Sequence, residues 1–280
     1  MLGDCHMHMV LDGVDWKQAI HRHSAKPEDC YIREMLGRYQ DLGYTYLRDG
    51  GDRWGVGARA RELAAEYGIT YRTPLSPLCH IGHYGSFIGT AYENLSQYAA
   101  LVAQIRDSGG DFIKIMISGL MDFNHFGVLT QPGLDEKEIG ELIHIAKEEG
   151  MAVMAHANGA STVRAAAEAG VDSVEHGAYL DTTALQAMKD SGTVWVPTLS
   201  TIGNLRGTGR FSETDVLRIL DSALENVAVF SAMGGLLASG TDAGAWAVPH
   251  GSTTEVGYFA MAGVGTDVLA RGLSAIQAKF

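Results

Sequence analysis

Cysteine is scarce in this chain. Only Cys5, Cys30 and Cys79 occur, far apart and without a CxxC pair, which argues against a disulfide framework and suits a reducing compartment. Basic residues are also few: 21 Lys and Arg stand against 33 Asp and Glu, a net charge of −12. That sign is wrong for gripping a phosphate backbone, so nucleic acid is not an expected partner. No run of about 18 apolar residues occurs, and the opening MLGDCHMHMVLDG lacks the basic start and apolar core of a signal peptide. The expectation is a cytoplasmic protein with no membrane partner. Linkers, low-complexity tracts and sequence repeats are likewise missing, and nothing in the sequence speaks to oligomeric state.

What is present is an alternation. The 280 residues, 46% apolar and 19% charged, match the size of one α/β barrel, and no shift in composition divides them, so a single domain over 1–280 is expected. Short β-like runs at 2–8, 44–49, 70–78, 111–117, 151–156, 171–176, 193–199 and 235–241 are separated by amphipathic helical stretches. In 135–149, for example, Ile139, Leu142, Ile143 and Ala146 recur at helical spacing before Gly150. Eight βα units predict a (β/α)8 TIM barrel. The longest irregular stretches, 79–92, 118–133, 200–211 and 242–251, follow strand ends on the face where barrels carry their active sites.

Several chemistry-bearing residues fall on those strand ends. In the first strand Asp4, His6 and His8 share one parity, leaving Cys5 and Met7 on the other, and a His-x-His on a strand can grip a metal. The run DFIKIMISG puts Ile113, Ile115 and Ile117 toward the helix layer and Lys114 toward the interior. A buried lysine there is either ion-paired to an aspartate or neutral, and a neutral amine can become a carbamate. His156 ends AHANG, His176 ends VEHG and Asp242 stands in SGTDAG. Each taken singly reads equally as a hydrogen-bonded histidine or a helix N-cap. Their intervals, however, are near-multiples of a βα unit of ~35 residues, with one long loop and one compact unit, so all can converge on one central space. Imidazole and carboxylate donors without thiolate favour Zn²⁺, with Mn²⁺ or Fe²⁺ as alternatives.

This set of motifs resembles the amidohydrolase superfamily over nearly the whole chain. Within it, FIKIMISG, AHANG, SVEHGAYLD, VPTLST and SGTDAG are similar to the branch of imidazolonepropionase-like proteins and Xaa-Pro dipeptidases with a carboxylated lysine. The resemblance implies two metal ions, one held by His6, His8 and Asp242 and the other by His156 and His176, with carboxylated Lys114 and a hydroxide bridging them. It also implies that Asp242 shuttles a proton from the attacking hydroxide to the leaving group.

For the substrate it places His83, in CHIGHYG, near the scissile carbonyl, with His80, Arg206, Arg210 and His250 as further candidates whose other reading is a plain surface or loop role. The resemblance is expected to be confined to the barrel, without the β-sandwich that flanks it in most relatives. The His-x-x-Glu of the superfamily's deaminases is also missing, which favours amide hydrolysis over ring deamination. The expected substrate is a small-molecule amide such as a dipeptide, an N-acyl amino acid or a cyclic amide. The alternatives are a lactonase or esterase on the same site, or a metal-binding barrel without catalysis.

Overall fold

The computed structural model describes residues 2–280. The chain begins β1 (Leu2–Met7), α1 (Trp16–Arg22), α2 (Asp29–Asp41), β2 (Tyr44–Asp49), α3 (Val56–Ala64), β3 (Thr70–Arg72), β4 (Leu78–His80) and β5 (Thr90–Tyr92). It continues through α4 (Leu95–Asp107), β6 (Ile113–Met116), α5 (Glu136–Glu148), β7 (Val153–Ala157), α6 (Ala160–Glu168), β8 (Ser173–His176) and α7 (Thr182–Ser191). The last elements are β9 (Val194–Val196), α8 (Ser200–Gly203), α9 (Glu213–Ala232), β10 (Leu236–Leu237), α10 (Thr254–Met261) and α11 (Thr266–Lys279).

The pairings among these strands are parallel, in a three-stranded sheet ordered β1-β2-β3 and a seven-stranded sheet ordered β10-β9-β8-β7-β6-β4-β5. Backbone hydrogen bonds run between the two sheets at both gaps. On one side Cys5 N donates to Ser239 O at 2.9 Å, Asp242 N to His6 O at 2.6 Å and His8 N to Ala243 O at 2.7 Å. On the other, Asp111 N donates to Thr73 O at 2.9 Å. The architecture is therefore mixed α/β with parallel sheets.

The expected strands are present, 44–49 with the bounds expected and most others shortened, and two regions differ in kind. The run 70–78 is broken into β3 and β4, because Pro74 and Pro77 cannot donate to a ladder and Leu75 takes a left-handed φ of 63°. β5 lies inside 79–92, which the sequence presents as irregular; it pairs with β4 through Leu78, Cys79 and His80.

The helices follow their sequence pattern. In α5 the Asp135 side chain accepts from Lys137 N and caps the first turn, while Ile139, Leu142, Ile143 and Ala146 are buried. They pack with Ile113, Ile115 and Ile117, so those isoleucines do face the helix layer. α9 is capped by Ser212, whose side chain accepts from Asp215 N. The strict alternation expected of β1 fails at Cys5. Met7 packs with Leu36 and Val56 near α2 and α3, whereas Cys5 joins Tyr46, Phe112, Met154, Val194 and Val196 in a separate cluster. The register of β1 against β2 is irregular between Asp4 and Met7, which permits this. Leu273 and Ile276 of α11 and the terminal Phe280 pack on that second cluster.

The seating of α11 gives a first prediction. A Cβ added to Gly272 would fall inside van der Waals contact with the carbonyl of Leu237 in β10, whereas Gly140 in α5 has open space around it. Gly272→Ala should therefore destabilise the protein by about 1–3 kcal/mol, and Gly140→Ala should stabilise it by about 0.5–1 kcal/mol. Denaturant unfolding of both variants checks this, and equal effects would contradict the packing described.

Candidate metal centre

The site is built where β1 meets the segment after β10. Asp4 accepts from Thr241 N at 2.9 Å and from Thr241 Oγ1 at 2.6 Å, and Ala243 N donates to Thr241 Oγ1 at 3.0 Å. With the backbone bonds from Asp242 N and His8 N, these contacts zip the two segments together and bring three side chains to one point. Asp242 Oδ1 stands 3.5 Å from His6 Nε2 and 3.3 Å from His8 Nε2. One ligand atom from each of His6, His8 and Asp242 lies within 4.8 Å of the others. Gly50 makes room for this, since a Cβ there would overlap the ring of His8.

The histidines continue as a chain of neighbouring rings. His6 and His8 have centroids 5.3 Å apart, His6 and His176 5.1 Å, and His176 and His156 4.5 Å. His176 Nδ1 is 2.7 Å from Thr198 Oγ1, which fixes its ring. His156 Nε2 is 3.2 Å from Gly119 O, and Asn158, which also donates to Gly119 O at 3.0 Å, sits beside it. His176 and Asp242 adopt left-handed φ values of 67° and 55°, uncommon for side-chain-bearing residues and typical of strained functional positions.

Burial sets the charge states. It holds His6 and His176 well below the usual histidine range, and His8 and His156 fall to about 3, with Lys114 adding to the depression in each. Neutral imidazoles are the form that ligates metals. Lys114 is fully buried, lines the same cavity, and its Nζ has no hydrogen-bond partner. The ion pair with an aspartate that its sequence position also allowed does not form. Burial pushes the lysine down and Asp242 up. His6 Nε2, His8 Nδ1, Lys114 Nζ and Asp242 Oδ1 are thus left without hydrogen bonds at one place. Such orphaned donors and acceptors are costly unless another group satisfies them, and this donor set fits a divalent cation.

Beneath the cluster lies a network that sequence reading missed. Arg48 is fully buried and donates to Cys5 O at 2.7 Å, Ser173 Oγ at 2.9 Å and Glu175 Oε1 at 2.9 Å, with its guanidinium 4.4 Å from the ring centre of Phe280. The other carboxylate oxygen of Glu175 is 2.8 Å from His6 Nδ1. A charge inside a parallel-sheet strand was the available signal for Arg48, as it was for Lys114. Glu175 was hidden because parity sets it opposite His176. Both reach the interior because His176 turns at the strand end with positive φ.

The substrate-side candidates separate. A cavity of about 800 Å³ opens over His6, His8, Lys114, His156, His176 and Asp242, and Arg210 lines it. His80, His83, Arg206 and His250 do not. The His80 ring nitrogen is 2.9 Å from Ile81 O, and its ring packs edge-on to His83. In the same loop Tyr84 takes the cavity position instead, its ring 4.8 Å from His156. Arg206 is exposed on the turn after α8. His250 is buried between Tyr39 Oη at 3.1 Å and Leu11 O at 2.9 Å, a structural tie that no periodicity announces.

The Arg48–Glu175 pair gives a second prediction. Glu175→Gln leaves Arg48 buried and uncompensated and should cost about 3–5 kcal/mol, while Arg48→Met with Glu175→Gln should cost less than the two single changes added together. Denaturant unfolding of the three variants measures the coupling, and strict additivity would show that the two groups act separately.

Comparison with known proteins agrees with this geometry. The sequence model of the amidohydrolase family matches residues 63–256. Ochratoxinase from Aspergillus niger is 26% identical over 290 residues, covering 86% of this chain and 57% of the relative, so the chain spans little more than half that protein's length. Among solved structures, a Xaa-Pro dipeptidase with methionine bound in its active site superposes with a TM-score of 0.77 at 22% identity, covering 99% of this chain and 75% of that one. A prolidase complexed with N-methylphosphonate-L-proline gives 0.75 at 19% identity, covering 99% and 74%. With a family match across most of its length and this cluster of histidines, aspartate and lysine at its strand ends, the chain belongs to the amidohydrolase family.

Proposed function

We propose that this chain is a metal-dependent hydrolase that cleaves the C–N bond of a small-molecule amide, and that its two sheets form one closed (β/α)8 barrel in a single domain. The observation that carries the reading is the convergence of His6, His8 and Asp242 within 4.8 Å, with buried polar atoms of these residues and of neighbouring Lys114 lacking hydrogen-bond partners and the rings of His176 and His156 alongside. The backbone hydrogen bonds across both gaps between the sheets support closure. The family generally uses divalent metals, and its relatives above include an ochratoxinase and a prolidase.

In this reading His6, His8 and Asp242 would hold one ion and His156 and His176 a second, with Lys114, carboxylated on Nζ, supplying further oxygen donors to the centre. The donor set favours Zn²⁺ and accommodates Mn²⁺ or Fe²⁺. When bound, the ions supply the Lewis acidity that acidifies water and polarises the scissile carbonyl. Asp242 would accept the proton of the attacking water on a carboxylate oxygen and deliver it to the leaving nitrogen. Thr198 and Glu175 keep the rings of His176 and His6 oriented, the role that carboxylates and hydroxyls play behind metal-binding imidazoles.

Asp242→Asn should leave the fold intact and retain part of the metal while lowering turnover by ~10²-fold or more. Steady-state kinetics and metal analysis on one preparation decide it, and turnover within a few fold of wild type would remove Asp242 as the proton carrier. Lys114→Ala should lose metal and recover part of its activity when short carboxylic acids are added, since these replace the carbamate oxygens. A metal-replete protein with an unmodified Lys114 and a single ion per chain would defeat the binuclear reading.

A further inference from the structure

Two aromatic walls flank the cavity. On one side Trp16, at the start of α1, packs edge-on to Phe87 at 5.6 Å, and Phe87 meets Tyr84 at 5.7 Å. On the other, three loops that follow β6, β9 and β10 are tied by Phe123, Phe211 and Trp246, with ring centres 5.3 Å apart for the first pair and 6.2 Å for the second. Trp16 remains 48% exposed and neighbouring Val14 73%, so apolar surface faces solvent at the cavity mouth. At about 800 Å³ the cavity is near the upper end of those that take drug-sized ligands, larger than a small dipeptide or lactam requires.

The charges around this space are sorted. Its acidic members outside the histidine cluster are already engaged: Asp15 caps α1 by accepting from Lys17 N and Gln18 N, and Asp122 accepts from Asn124 N and lies 2.8 Å from His125 Nδ1. Among the described residues its cations outside that cluster, Lys17 and Arg210, have no carboxylate partner. Arg210 lies with its guanidinium 4.1 Å from the ring centre of Trp246 and 5.4 Å from that of Phe211, and Lys17 lies 5.5 Å from Trp16. In a chain of net charge −12, unpaired positive groups at the mouth of an otherwise apolar cavity are a selective feature. A guanidinium whose carbon lies 4.1 Å from the centre of an indole ring, with no carboxylate already paired to it, leaves N–H donors that can serve a planar carboxylate as a bidentate pair.

We propose that Arg210, seated on Trp246 and Phe211, is the carboxylate subsite of the cavity, and that the substrate is an N-acyl amino acid carrying a large aromatic group. This rests on the amide-hydrolase reading above and narrows it to an anionic, aromatic amide. The carboxylate docks at Arg210, the aromatic group lies between the walls, and the amide is held over the histidine cluster. The reaction itself is hydrolysis: water adds across the C–N bond and yields a carboxylic acid and a free amino acid.

Binding can be tested apart from turnover with naphthalene-2-sulfonyl-alanine, whose sulfonamide resists hydrolysis, and with its carboxamide. Calorimetry on the metal-loaded protein should show the carboxylate binding at least tenfold tighter than the carboxamide. Arg210→Gln should weaken the carboxylate about ten- to hundredfold and leave the carboxamide unchanged. Arg210→Lys, keeping the charge without the planar fork, should fall between, and Trp246→Leu should weaken both probes. In turnover, naphthoyl-alanine should exceed acetyl-alanine in kcat/KM, and Arg210→Gln should act on naphthoyl-alanine mainly through KM. If the carboxylate and carboxamide probes bind alike, or Arg210→Gln leaves their ratio unchanged, the subsite is overturned. Discrimination between the probes without hydrolysis of any amide would instead uphold the subsite and overturn the hydrolase reading.

Discussion

Everything at the centre of this protein depends on a buried positive charge. Arg48 has no access to water, so its guanidinium must be matched inside the sheets, and Glu175 supplies the counter-charge with one carboxylate oxygen while the other stands against His6. Strands β2, β8 and β1 are thereby held together by one chain of polar contacts, which ends on the cluster of His6, His8 and Asp242. Paired in this way, the charges cost far less than either would alone, and they fix how deep the histidines sit. Phe112 and Phe280, lying against the guanidinium, complete its enclosure from below.

Above that floor the molecule changes character. The donors of the centre come from strand ends and the turns directly after them, whereas the aromatic walls come from the start of α1 and from the long loops that follow the strands. This division suits a family in which one centre serves many substrates: the chemistry stays on the ladder and selectivity moves to the loops. The positive φ of His176 and Asp242 marks the boundary, since there the chain leaves the extended conformation yet must still aim a side chain inward.

Much of the centre was legible because strands have a period of two and βα units a roughly regular length. Lys114 could be placed inside from its isoleucine neighbours alone, and His6 with His8 from their spacing. Parity failed where the backbone stopped being a strand. Glu175 and His176 are adjacent and both reach the interior, and Cys5 leaves the face expected of it where the register of β1 slips. Loop residues were least legible: the resemblance pointed to His83, but it is the next residue, Tyr84, that lines the cavity, and a one-residue offset in a loop has no periodic signature.

By itself, then, the sequence determined the alternation of strands and helices, the family, and the set of histidines, lysine and aspartate at the strand ends, because each is written in local spacing that short-range geometry enforces. Only the tertiary structure decided that Arg48 and Glu175 sit under the centre, that His250 is a structural tie to Tyr39 and Leu11, and that Arg210 alone of its candidate group lines the cavity with Trp246. These pairs lie 127, 211 and 36 positions apart or join separate loops, and nothing local in a chain specifies which distant side chains will meet once water is excluded between them.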